Sequence, residues 1–241
     1  MSNALIIPKY SISKSLYSKS FTKGLNATNF NEYDSQIILS ELINLNYAGD
    51  FKLSETNITE SRITIAPDYG TFLLLIIDSR GNAYFILYDL NEFNDLLDQS
   101  SNNFLSLKEI DYLSEFKITD FKNIVGSFQG FGIDNDLNIY ISSEYPPTVK
   151  SYFSHDRKII KISWNRNEPS DWRILDLSSD NALDHEHCTT EFKNIQVIHE
   201  NDLFLTVAYY KLKIDEKLNR FVEQICNGVF EIKWYTNADI F

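Results

Sequence analysis

The chain has 241 residues, with 34 acidic and 22 basic side chains and a formal net charge of -12. That length buries a sizeable core, either as one all-β unit or as two small domains, and a hydrophobic content of 43% excludes a disordered chain. A pI near 4.7, with the few cations scattered, argues against nucleic acid and anionic membranes as partners, because both are held by clustered Lys and Arg. The aromatic content of 14% leans towards β structure, where flat, stiff side chains suit half-buried sheet surfaces.

The N-terminus, Met1 to Tyr10, has no basic region and only a very short apolar stretch, so it does not read as a secretory signal. The expectation is export by another route, or a cytoplasmic protein. Residues 30–46 are ambiguous. Ile37, Ile38, Leu42 and Leu45 fit a helical stripe, whereas β-branched residues and several Asn oppose it. From residue 60 onwards a repeat sets in. Each unit has a short β run, a turn rich in Asp, Asn or Pro, and a strongly apolar strand. The units are Arg62–Ile77, Gly130–Ser142 and Ile195–Val207. The apolar run Phe72–Ile77 in the first is far too short to span a bilayer as a helix, which takes about 20 residues.

A second alternating strand follows each unit, at Ala83–Leu90, Lys158–Trp164 and Val229–Trp234. A fourth is readable at Phe116–Ile118 and Trp172–Leu177. Between strands, Asn91–Asp98 reads as a short helix with Asn91 as its N-cap and apolar residues at 93, 96 and 97. Residues 145–156 and 211–224 read as loops. The sequence therefore predicts one all-β domain over 1–241, with repeats near 60–120, 125–180 and 190–236 and a partial N-terminal repeat over 1–58. Antiparallel sheets of three to four strands would pack face to face as a small or incomplete propeller.

Candidate chemistry is sparse. Asp134-Asn-Asp-Leu-Asn138 alternates oxygen ligands as a Ca²⁺ loop does, but Ile139 and Tyr145 stand where an EF-hand needs Gly and Glu, so a hairpin turn is the better reading. Asp184-His-Glu-His-Cys188 is the densest ligand-like cluster. In an extended segment His185 and His187 would share a face, although a third, distant ligand such as His155 or His199 would still be required. No metal or other cofactor is expected. There is no nucleophile elbow and no phosphate-cradling glycine loop, and no catalytic residue is assigned. Glu60, Gln129 and Glu191 stand near the entry of each repeat's first strand, where a propeller lines its central channel. They are the ligand-binding candidates, with strand caps or turn partners as the plainer alternative. Trp164, Trp172 and Trp234 read as packing residues. Cys188 and Cys226 read as free thiols.

Several segments together resemble a known family. They are Ser127-Phe-Gln-Gly-Phe-Gly-Ile-Asp-Asn-Asp-Leu-Asn-Ile-Tyr-Ile-Ser-Ser143, Arg157–Ile162, Asp171–Ser178, Asn194–Tyr209 and Val229–Trp234, preceded by Ala66–Phe72 and Tyr88–Leu90. They are similar, in order and spacing, to helveticin J-type bacteriocins of lactobacilli, over roughly residues 60–235. The resemblance implies a relative of a large, heat-labile class III bacteriocin, toxic to closely related bacteria and not established as an enzyme. No site residue is carried over from it. Against the family pattern the chain lacks an upstream segment, the inner part of a first repeat, and so reads as an N-terminally shortened relative. The leading expectation is a non-enzymatic, bacteriocin-like protein that binds a target-cell surface component. The alternatives are a propeller glycoside hydrolase or lyase acting on wall or capsule polysaccharide, and an intracellular interaction scaffold.

Overall fold

A computed structural model describes residues 5–9, 38–54, 57–99, 104–150 and 156–234, and their backbone is mostly β. Fourteen strands are described. The first sheet takes β1 (Leu5–Lys9), β2 (Ile38–Ile43) and β6 (Phe104–Ser106) in that order. The second is a meander of β3 (Ile58–Ile65), β4 (Thr71–Asp78), β5 (Ala83–Asp89) and β7 (Ser114–Ile118). The third is a meander of β8 (Phe128–Ile133), β9 (Ile139–Ser143), β10 (Lys158–Ile162) and β11 (Arg173–Asp176). The fourth joins β12 (Thr189–His199), β13 (Asp202–Ile214) and β14 (Arg220–Lys233). None closes on itself.

The three repeats are thus three antiparallel meanders, with fourth strands in the first two as expected. The N-terminal segment differs. Ile38–Ile43 is a strand rather than a helical stripe, and its pairing with β6 is parallel, not antiparallel. Residues 30–37 lie outside the described residues. The 211–224 region is not a loop either. It is the far half of one long hairpin, with Lys211 opposite Glu223 and Ile214 opposite Arg220.

Side-chain layering follows from the apolar pattern. Along β4, Phe72, Leu74 and Ile76 pack with Leu42, Leu105 and the helix α1 (Leu90–Gln99), while Leu73, Leu75 and Ile77 pack with Phe131, Ile139 and Ile160 of the third sheet. A strand buried on both faces has no polar face, which is why Phe72–Ile77 reads as one continuous apolar run. A third layer, including Tyr140, Phe192, Leu205 and Trp234, joins the third sheet to the fourth. Along the first half of β13 the fourth sheet buries one face: Leu203, Leu205 and Val207 are buried, and Phe204 between them is exposed. Among the described residues no apolar layer joins the fourth sheet to the first.

Helix α1 is capped two residues earlier than the sequence suggests. The Asp89 carboxylate accepts from the backbone N–H groups of Asn91 and Glu92, so Asp89 rather than Asn91 satisfies the open donors. Phe93 and Leu97 are buried beneath it. A shorter helix, α2 (Phe121–Val125), precedes β8.

Three hairpins share one turn chemistry. Asp78, Asp134 and Asp215 each accept from the backbone N–H and the side-chain amide of an Asn four residues on, namely Asn82, Asn138 and Asn219. The residue before that Asn takes positive φ, as Gly81, Leu137 or Leu218. In the first two, a Tyr hydroxyl two residues past the Asn donates to the same carboxylate at 2.9 Å, from Tyr84 and Tyr140. The oxygens of Asp134 are therefore filled by N–H and O–H donors, and the segment is a hairpin turn rather than a cation loop. Asp134→Ala should lower unfolding stability by about 2–3 kcal/mol in urea titration, because it strands the buried Tyr140 hydroxyl. Added Ca²⁺ should leave the melting temperature of the unsubstituted protein unchanged.

Candidate functional site

The first strand of each meander carries a β-bulge close to its start. Register shifts fall between Ile58 and Glu60 in β3, between Phe128 and Gly130 in β8, and between Phe192 and Asn194 in β12. The unpaired residues are Thr59, Gln129 and Lys193. A bulge re-aims the side chains beside it. The three candidates of the sequence sit at these bulges: Gln129 is itself the extra residue, Glu60 follows one, and Glu191 lies two residues before one.

Close backbone approach brings β8 and β12 together. A Cβ on Gly130 would lie 2.6 Å from Asn194 Cα, and one on Gly132 would lie 2.9 Å from Val197 Cγ2. The obstacle at Gly130 is backbone and cannot yield, so the Gly130-Phe-Gly132 spacing is a packing requirement between the third and fourth sheets.

A chain of polar contacts runs across these first strands. Arg62 on β3 pairs with Glu60 at 2.6 Å, donates to the backbone carbonyl of Gln129, and lies 4.2 Å over the ring of Phe128. Lys122 also reaches Glu60, at 3.8 Å. The Gln129 amide donates to Ser127 Oγ and to the backbone carbonyl of Glu144. The Glu144 carboxylate, just past β9, then accepts from Thr190 Oγ1 at 2.6 Å and from Phe192 N–H at 2.8 Å. Beside it, Glu191 receives Lys193 at 2.6 Å and the Tyr210 hydroxyl at 2.7 Å. The seam thus links second, third and fourth sheets through side chains that the sequence offers only as separate polar residues.

Glu144 is the residue that sequence reading missed. It is fully buried. Burial drives its carboxyl up to about 7, against the opposing pull of the Thr190 hydroxyl, the Arg157 charge and the Phe192 N–H. Arg157 is buried as well and pairs with Asp184 at 2.7 Å while donating to the Ser178 carbonyl. At Lys193, burial works against the charge, but the Glu191 carboxylate and Tyr210 hydroxyl outweigh it and raise the pKa.

The His-Glu-His cluster does not assemble. Residues 185–188 form a turn, with Cys188 N–H donating to the His185 carbonyl and His187 at positive φ, so the two imidazoles do not share an extended face. His185 lies 3.7 Å from Cys188 Sγ, and His187 contacts Glu186. No group of three metal-ligating side chains occurs among the described residues. His155 lies outside them. Both cysteines are free thiols. Trp172 and Trp234 are buried, and Trp164 packs edge-on against Phe116 while donating to Ser114 Oγ.

Away from the seam, an open recess of about 200 Å³ lies on the second sheet, lined among others by Phe51, Lys52, Asn57, Arg80 and Tyr84. Phe51 and Tyr84 meet edge to face at 4.9 Å. None of Glu60, Gln129 and Glu191 lines it.

Stacked antiparallel meanders joined at bulged first strands define a repeat-built, mostly β protein. The profile of the family described as "Bacteriocin helveticin-J" matches residues 17–235. The chain belongs to this helveticin-J bacteriocin family. Among curated proteins it is 33% identical over 201 residues to "Bacteriocin helveticin-J" of Lactobacillus helveticus. That match covers 79% of this chain and 59% of the relative, so the chain spans less than two thirds of its length. No solved structure matches.

A group whose folded pKa is raised contributes stability that is present below its unfolded pKa and is lost as pH rises through the folded value. For Glu144 that window runs from about 4.5 to about 7. Thermal melts should show stability falling across this range, and Glu144→Gln, which keeps an acceptor for Phe192, should flatten that slope.

Proposed function

We propose that the protein is a bacteriocin-like antibacterial protein that acts outside the producing cell by binding a component of the target-cell surface, without catalysing a reaction. The observation that carries this reading is membership of the helveticin-J family over residues 17–235. We also propose that residues 1–241 form one domain whose sheets are blades of a small or incomplete propeller. The adjacency of β3, β8 and β12 supports that arrangement, because first strands of successive blades meet around a propeller's axis.

The state of the seam's acids favours binding over hydrolysis. A glycosidase presents two carboxyl groups to its substrate across about 5–10 Å. Here Glu60 is held by Arg62, Glu191 by Lys193 and Tyr210, and Glu144 accepts from β12. In this reading Glu60, Gln129 and Glu191 are fastenings between sheets, and the ligand contact lies at the recess beside Phe51 and Arg80. There an aromatic pair, an amide and two cations converge in an otherwise acidic protein. A saccharide-bearing surface polymer fits such a mixture of stacking and polar contacts.

Purified protein should bind cells of related Gram-positive strains, and inhibit some of them, in a pull-down and lawn assay over a panel of lactobacilli. Arg80→Ala should weaken cell binding severalfold without changing the melting temperature. Absence of both binding and inhibition across the panel would sink the reading. Release of reducing sugar from purified walls would favour the hydrolase instead.

A further inference from the structure

Among the described residues, the outer edge of the fourth sheet is open. The second and third sheets have four strands each, whereas the fourth ends at β14, which pairs only with β13 among the described residues. β14 is 14 residues long, and its Phe221, Ile225 and Val229 are exposed. A long edge strand with exposed apolar side chains is a template for another strand.

We infer that the occupant of this edge is β14 of a second copy, paired antiparallel about a two-fold axis at Cys226. The register follows from the bulge in β14. On the β13 side, Tyr209 faces Cys226 and Tyr210 faces Gln224, so Ile225 is the extra residue. A two-fold axis between antiparallel strands sets one residue against its own copy, and the others pair outward from it. With the axis at Cys226 and Ile225 left out of the count, Gln224 meets Asn227, Glu223 meets Gly228, Val222 meets Val229, Phe221 meets Phe230, and Arg220 meets Glu231. Each pair occurs twice. Amide faces amide, apolar faces apolar, ring faces ring, and cation faces carboxylate, and both members of every pair lie on one face of the sheet. An axis at Asn227 instead sets Arg220 against Lys233. The self-complementarity of this one register, in charge and in apolar character, commits the edge to a second copy rather than to an unrelated strand.

Cys226 is exposed and serves as a reporter. Directly opposed residues of antiparallel strands have Cα atoms about 4.5–5.5 Å apart, within the span of a disulfide. Mild diamide oxidation, which takes two electrons and two protons from the paired thiols, should yield a covalent dimer of Cys188→Ser protein and none of Cys226→Ser protein. Light scattering on the unsubstituted full chain should show a concentration-dependent dimer. Arg220→Glu, at the exposed start of the strand, should raise its dissociation constant at least tenfold with an unchanged circular dichroism spectrum. Arg220→Glu combined with Glu231→Arg should restore it. A monomer at all concentrations would overturn the inference, as would a dimer indifferent to Arg220→Glu and not cross-linked through Cys226.

Discussion

The structure depends on one constraint: the central strands of the second and third sheets are buried on both faces, so each sheet must be covered on both sides. β4 and β5 carry no exposed apolar position, with Leu73 to Ile77 and Phe85 to Ile86 completely buried. Such a meander is stable only inside a stack, with both faces covered. The fourth sheet, which buries one face along the first half of β13, ends the described stack.

Stacking then creates a second problem, at the first strands, where sheets approach most closely and backbone polar groups leave the solvent. Bulges in β3, β8 and β12 interrupt the ladders there, and side chains take over as hydrogen-bonding partners. The Thr59 hydroxyl returns to the carbonyls of β4, Gln129 to that of Glu144, and the Glu144 carboxylate to the Phe192 N–H. A buried carboxyl is costly when charged. Two direct donors and the nearby Arg157 keep Glu144 compatible with its surroundings, yet burial still dominates its proton affinity. The seam therefore holds the sheets in register.

Much of the architecture was legible because the repeat is written in local chemistry. Alternation and turn residues marked β8, β9, β10, β12 and β13, and the continuous run Phe72–Ile77 marked a strongly apolar strand. The 211–224 hairpin was hidden by its composition. Lys211, Lys213, Asp215, Glu216 and Lys217 look like a solvated loop, although two strands exposed on both faces need no apolar alternation. The parallel pair β2–β6 was hidden by distance, since no local pattern announces a partner some sixty residues away. Glu60, Gln129 and Glu191 were correctly located near the first strands, yet their partners are supplied by bulges, which single-sequence periodicity does not reveal. Glu144 carried no signal beyond following a strand with the small polar pair Ser142-Ser143.

If burial of the middle sheets on both faces is what holds the molecule together, their strands should open only when the whole stack does. Native-state hydrogen exchange tests this directly. The account predicts that amides of Phe72–Ile77 in β4 and Ile139–Ser143 in β9 exchange last, through one shared opening whose free energy equals that of global unfolding. Exchange of β4 through a separate opening of much lower free energy than that of β9 would contradict it.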